Sequence, residues 1–122
     1  MEHMKISTIA SLLDAQVYTC EDLLESEVYE ACGSDMMSDV LAYVKNQAVL
    51  LSGLVNSQVV RTADMMDMRC IVLVRSKVPT PDMIELAKES GIVLLSTHIR
   101  MYEACGILYV NGLKASAEAS CV

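Results

Sequence analysis

Apolar residues recur along this chain with two different periods. From Ile6 to Leu13 they fall at Ile6, Ile9, Ala10 and Leu13, the i, i+3, i+4, i+7 spacing of one helix face, and Ser7 is placed to cap its start. A short β-prone run, Val17-Tyr18-Thr19, follows within Ala15–Cys20. Glu21 to Ser34 is acidic and irregular, turn-rich around Gly33, with a short strand expected near Val28. Helical spacing returns at Met36, Met37, Val40, Leu41 and Val44, with Ser34 as the expected cap.

The pattern then becomes regular. Ala48–Leu51, Ile71–Val74 and Ile92–Leu95 are short unbroken apolar runs, each starting a little over twenty residues after the last. Unbroken runs belong to strands buried on both faces, and therefore to a parallel sheet covered by helices on each side. Helical segments lie between them. One is opened by Asn56 or Ser57 and turns Val59, Val60, Ala63 and Met66 inward. Another is capped by Thr80, takes Pro81 at its first position and stops at Gly91. A final helix starts near His98, carries Met101, Tyr102, Cys105, Leu108 and Tyr109 on one stripe, and ends near Asn111-Gly112. The expected architecture is a single three-layer α/β domain over residues 1–113, with a mostly parallel central sheet flanked by helices. Residues 114–122, small and polar, are expected to fray.

Composition narrows the function. At 122 residues and 53% hydrophobic, the chain buries a core of its own. Its apolar content is aliphatic, with no Trp and no Phe, and a surplus of this kind points to a self-associating face. A net charge of −7 without any basic cluster argues against nucleic acid and against anionic membrane surfaces. The longest apolar runs fall far short of the ~20 residues of a membrane helix. The first residues lack the basic and apolar regions of a signal peptide, and Met4 reads as the natural start after an appended leader. Five cysteines, none in a Cys-x-x-Cys pair, read as free thiols of a reducing cytoplasm rather than as disulfides or metal ligands, and no cofactor is expected.

Candidate chemistry gathers at two strand ends. The segment Ser52 to Gln58 lies between a strand and the positive start of a helix, where α/β folds bind anions. Gly53 lets the backbone turn, Asn56 is the cap, and free N–H groups near Gln58 would face the ligand. The alternative is that Gly53 only turns the chain and Asn56 only caps. Neither G-x-x-x-x-G-K-[ST] nor G-x-G-x-x-G is present, so no nucleoside triphosphate site is specified. Ser96-Thr97-His98 ends another strand at the equivalent edge, and Arg61 and Arg75 are the basic residues placed to reach both loops. Arg61 has an alternative use, pairing with Asp64 one turn on. Ser96 and His98 do not form a hydrolytic pair, because Ser96 sits in none of the strained turns that expose a nucleophile. Asp35 and Asp39, spaced i, i+4, are read as acids of a first helical turn opposing its dipole.

The run LLSGLVNSQVVRTADMMDMRCIVLVR, with ELAKESGIVLLST and MYEACGILY after it and SDMMSDVLAYV before it, resembles the DRTGG domain. The opening ISTIASLLDAQV is similar to the start of the Mur ligase N-terminal domains. The likeness covers Lys5 to Leu113 and is most specific at Gly53–Thr62 and Ser96-Thr97. It departs at Glu25–Cys32, ESEVYEAC, where the Gly-Gly that names the family is missing. DRTGG domains are accessory parts of phosphotransacetylases and family II pyrophosphatases, and a related domain precedes the HPr kinase catalytic domain. In none of these does this domain carry the chemistry. The resemblance therefore implies a non-catalytic regulatory or scaffolding domain that forms a homodimer and docks onto a protein. The residues themselves also admit a sensor of an anionic metabolite or nucleotide at Gly53, Asn56, Gln58, Arg61, Ser96 and Thr97.

Overall fold

A computed structural model describes residues 3–43 and 47–115. The chain runs β1 (Met4–Lys5), α1 (Ile6–Leu12), β2 (Gln16–Val17), a 3-10 turn (Glu21–Leu23), β3 (Glu27–Val28), β4 (Glu30–Gly33), α2 (Met37–Tyr43), β5 (Ala48–Ser52), α3 (Ser57–Met65), β6 (Cys70–Leu73), α4 (Pro81–Ser90), β7 (Val93–Ser96) and α5 (Met101–Val110). Five strands form one sheet in the order β2-β7-β6-β5-β4, parallel except for β2. The expected α/β architecture is thus the one found.

The unbroken apolar runs follow from two-sided burial. Val49, Leu51, Cys70, Val72, Val93 and Leu95 face a core completed by Ile6, Ile9 and Leu13 with Ala104 and Leu108 of α5. Their sequence neighbours Leu50, Ile71, Leu73 and Leu94 face the other core, completed by Val40, Val59, Val60, Ala63, Met83 and Ala87. From β4 to β7 the chain steps three times in one direction across the sheet. Crossovers of one hand then place α2, α3 and α4 together on one face, leaving the other face to α1 and α5.

Local chemistry sets the ends as expected for two helices. Asn56 Oδ1 accepts from Val59 N at 3.3 Å, and Thr80 Oγ1 accepts from Met83 N at 3.2 Å. Gly91 closes α4 at φ 70°, a left-handed conformation that glycine adopts without strain. Ser7 is not the cap of α1. Lys5 occupies that position without a side-chain bond, and Ser7 N donates instead to Leu24 O at 2.8 Å.

Three further expectations are corrected. Residues 30–33 form a strand, β4, paired with β5 from Glu30↔Ala48 to Gly33↔Leu51. Its outer edge is covered after α5, where Ala31 N donates to Lys114 O at 2.9 Å. In α5 the inward residues are Ala104 and Leu108, whereas Tyr102 and Tyr109 point outward. Of the residues expected on one face around α2, Val40 is buried, but Met36, which precedes the helix, and Leu41 are exposed. Val44 and most of the tail expected to fray, from Ser116 onward, lie outside the described residues. Among the described residues no helix is long and apolar enough to cross a membrane.

Candidate functional site

The carboxyl ends of β4 to β7 lie along one edge, and the loops leaving them are tied together by polar groups. Asp35, just after β4, reaches across to the end of β5. Its Oδ1 accepts from Ser52 Oγ at 2.9 Å and from Gly53 N at 2.7 Å. Ser52 Oγ in turn accepts from Leu54 N at 3.2 Å, which shapes the turn toward α3. Asp35 therefore precedes the helix and latches two loops. It is not the first-turn acid that the i, i+4 spacing suggested, although Asp39 is. Ser34 makes a turn with Met36, its Oγ accepting from Met36 N at 3.0 Å.

Arg75, after β6, lies over this latch. A Cβ on Gly53 would stand 2.7 Å from its guanidinium, so the missing side chain makes room for an arginine. Gly53 itself does not have positive φ; the residues that do are Arg75 and Ser76, both at 61°. Two successive non-glycine residues in that region carry backbone strain, which the neighbouring segment offsets. Arg75 N donates to Ile99 O at 3.0 Å and Ser76 N to Thr97 O at 2.9 Å. Residues 97–100 thus cross the strand ends on their way from β7 to α5. An open α/β sheet forms its crevice where connections leave for opposite faces. Here that place is taken by the chain itself.

The six residues singled out in the sequence fall into two groups. Gly53 is buried, Asn56 caps α3, and Gln58 and Arg61 are exposed on its first turns. Gln58 Nε2 reaches Thr62 Oγ1 at 3.5 Å, along its own helix. Arg61 forms no ion pair with Asp64 among the described residues, where the salt bridges are His3–Glu27 and Lys5–Glu25. Ser96 and Thr97 are committed to the fold. Ser96 Oγ donates to Lys77 O at 2.5 Å, while buried Thr97 donates to Leu13 O at 2.6 Å and accepts from Ile99 N at 3.2 Å. The cationic group that the loops bring to the edge is Arg75.

The second candidate is a surface. The outward side of α5 presents Tyr102, Gly106, Tyr109 and Val110 at i, i+4, i+7 and i+8, opposite the buried Ala104 and Leu108. Tyr102 is 90% exposed, Val110 80% and Tyr109 56%. A helix apolar on both faces is normally covered on both. Lys114 Nζ stacks on the Tyr109 ring, 3.6 Å from its centroid.

Known proteins speak to the fold. The chain is similar to the crystal structure of the CBS and DRTGG domains of the regulatory region of Clostridium perfringens pyrophosphatase, complexed with its activator diadenosine tetraphosphate. The TM-score is 0.69 at 14% identity, covering 85% of this chain and 45% of that one. The present chain thus spans less than half of that neighbour. No protein-family model matches the chain, and no curated protein does. The similarity is one of architecture, to the regulatory part of an enzyme.

Among the described residues no three His, Cys, Asp or Glu side chains group as metal ligands. Cys20, Cys32, Cys70 and Cys105 are free thiols, and Cys121 lies outside the described residues. Burial pushes the Cys70 thiol far up, and raises those of Cys32 and Cys105. The spacing of Asp35 from Gly53 hid the latch. The one signal for Arg75 in the sequence was its place directly after an apolar run.

Proposed function

We propose that this chain is a DRTGG-type domain, a non-catalytic regulatory or scaffolding module that acts in the cytoplasm by forming a homodimer and docking onto a protein. Residues 1–113 are its single folded unit and 114–122 its tail. The observation that carries this reading is α5, apolar outward as well as inward, with Tyr102 and Val110 almost fully exposed. A water-soluble domain gains by covering such a face. The aliphatic composition and the likeness in architecture to a regulatory region support the same conclusion. Sedimentation velocity between 1 and 100 μM, on the order of usual dimer affinities, tests it. A dimer that dissociates on dilution is expected; a monomer throughout refutes it.

One observation favours a second reading, a sensor of an anionic metabolite or nucleotide. The Arg75 guanidinium lies at the strand ends beside the start of α3, with no carboxylate paired to it among the described salt bridges. Thermal melts with nucleotides and acyl phosphates test this. A ligand at a hundred times its dissociation constant adds about 2.7 kcal/mol. The expected stabilisation disappears in Arg75→Ala and weakens in Arg61→Ala; a shift untouched by both removes the assignment.

A further inference from the structure

We infer that the outer edge of β4 is a docking surface for the protein's own C-terminal segment: residues 115–118 pair with it as a sixth, parallel strand, Ala115 beside Ala31 and Ala117 beside Gly33. The inference goes beyond the regulatory reading above and does not depend on the homodimer. Three observations lead to it.

The first is the hydrogen bond that starts the strand. Ser34 N donates to Leu51 O of β5 at 3.0 Å. Backbone groups alternate sides along a strand, so those of Ala31 and Gly33 point the other way, to the edge of the sheet. There Ala31 N donates to Lys114 O at 2.9 Å. An antiparallel ladder through that bond would pair Ala31 with Lys114 and Tyr29 with Ser116, two bonds to each pair. Tyr29 N is committed elsewhere, to Gln47 O at 2.9 Å, and among the described residues Lys114 N makes no bond to Ala31 O. A parallel ladder asks instead for Ser116 N on Ala31 O, Gly33 N on Ser116 O and Glu118 N on Gly33 O. Ser116 and its successors lie outside the described residues, and the bond already made sets their register.

The second is direction. Cys105 Sγ and Met101 Sδ lie 2.7 and 3.2 Å from where a Gly33 Cβ would stand, at the carboxyl end of β4, whereas Lys114 lies against Ala31, nearer its start. The chain therefore descends along α5 against the direction of β4, and it turns after the helix at Gly112, φ 106°. Handedness agrees with a return parallel to β4. The steps from β4 to β7 run one way across the sheet with α2, α3 and α4 on one face. The step from β7 to the far side of β4 runs the other way, and α5 is on the other face. Reversing both keeps the same crossover hand.

The third is sequence. Ala115, Ala117, Ala119 and Cys121 alternate with Ser116, Glu118 and Ser120, the period of a strand with one apolar and one polar face. Side-by-side residues of a parallel ladder share a face, so the alanines fall with Ala31 on the side of α5, and Ser116 falls with Cys32 on the other. Small side chains suit the place. Gly33 has Cys105 directly over it, and alanine is ordered without loss of side-chain entropy. The pairing also covers the open backbone groups of an edge strand.

The test is residue-resolved amide hydrogen exchange on the full chain, at the lowest and highest protein concentrations of the sedimentation series. After correction for intrinsic rates, Ser116, Glu118 and exposed Gly33 are expected to exchange roughly tenfold or more slower than Ala117 and Ala119. Ser116→Pro and Glu118→Pro each remove a donor and are expected to return Gly33 to fast exchange. Ala117→Pro, whose nitrogen faces away from β4, is expected to leave Gly33 slow. Unchanged slow exchange in buried β5 and β6 verifies that each variant is folded. Fast exchange at Gly33 and throughout 115–122 overturns the inference. Slow exchange at Ala117 and Ala119 instead, or a Gly33 that stays slow in both Ser116→Pro and Glu118→Pro, overturns the register. Protection found only at the highest concentration overturns pairing within one chain and gives the edge to a second copy, with the homodimer reading left standing.

Discussion

Gly106 allows folding and assembly to be separated by substitutions at one position. In an exposed helix interior, Gly→Ala removes backbone freedom from the unfolded chain and gains about 1 kcal/mol. Nothing in the fold opposes the change, because the new methyl meets no atom within 4 Å. For a domain of this size that gain raises Tm by roughly 4 °C. If the homodimer proposed above forms through the outward face of α5, the same methyl appears at the centre of the contact, opposite the buried Ala104 and Leu108. Overpacking of this kind costs about 1–3 kcal/mol, or roughly five- to 150-fold in the dimer dissociation constant. Gly106→Leu keeps most of the helix gain and enlarges the obstruction. The two effects have opposite signs and are read by different assays. Melts at sub-micromolar protein should show both variants more stable than the native chain. Sedimentation at higher concentration should show both dissociating more readily, Leu more than Ala. The native melt should rise with concentration, as mass action requires of a dimer, and the Leu variant should lose that dependence. Loss of stability in the dilute Ala variant would show that Gly106 serves the fold. Unchanged dimerisation in the Leu variant would show that this face is not the interface.

Other consequences follow from individual contacts. Asp35→Ala removes the one acceptor, Oδ1, that lies 2.9 Å from Ser52 Oγ and 2.7 Å from Gly53 N, and should cost about 1–3 kcal/mol in urea unfolding, with Asp35→Asn milder; an effect near zero would mean that water replaces the latch. Gly33→Ala places a methyl 2.7 Å from Cys105 Sγ and 3.2 Å from Met101 Sδ, for a loss of about 1–3 kcal/mol, and Cys105→Ala should recover part of it in a double-mutant cycle. Strict additivity would place the strain elsewhere. Cys70 is fully buried and its thiol is pushed up, so a thiol reagent at pH 8 should modify partly exposed Cys20, Cys32 and Cys105 first and reach Cys70 only on unfolding. Mass mapping that finds Cys70 among the early products would contradict its burial.

What the sequence reveals about this fold depends on which information is local. β5, β6 and β7 are legible because burial on both faces leaves unbroken runs such as Ala48–Leu51, and the Asn56 and Thr80 caps sit within a few residues of the groups they serve. β4 is not legible: Glu30-Ala31-Cys32-Gly33 is an edge strand defined by its partners, β5 and Lys114, both far along the chain. Tyr102 and Tyr109 read as one stripe with Leu108 because α5 is largely apolar all round, and periodicity then fails to identify the inner face. At the strand ends the loops were located but their chemistry was not. Ser96 and Thr97 looked available, yet the backbone of residues 74–77 and the end of α1 take their hydroxyls. The positive φ of Arg75 and Ser76 is imposed by the hydrogen bonds to 97–99 and leaves no mark in residue type.

Those hydrogen bonds also bear on how the two candidate surfaces relate. Residues 97–100 leave β7, receive hydrogen bonds from Arg75 N and Ser76 N, and then begin α5, whose cap position is Arg100. Arg75 and the first turn of α5 are therefore separated by a few residues of bonded backbone rather than by a flexible loop. Residues 97–100 are in this sense a strap that ties the backbone of Arg75 and Ser76 to the start of α5. If an anion binds at Arg75 and its affinity differs between monomer and dimer, dimerisation must change with the ligand by the same factor, since the coupling is reciprocal. The check is a pair of measurements on one sample series, dimer dissociation with and without saturating ligand and ligand affinity below and above the dimer dissociation constant. Equal factors within error would join the sensor and assembly readings into one device. Two factors of one would establish that the strap transmits nothing, and that Arg75 and α5 serve separate ends.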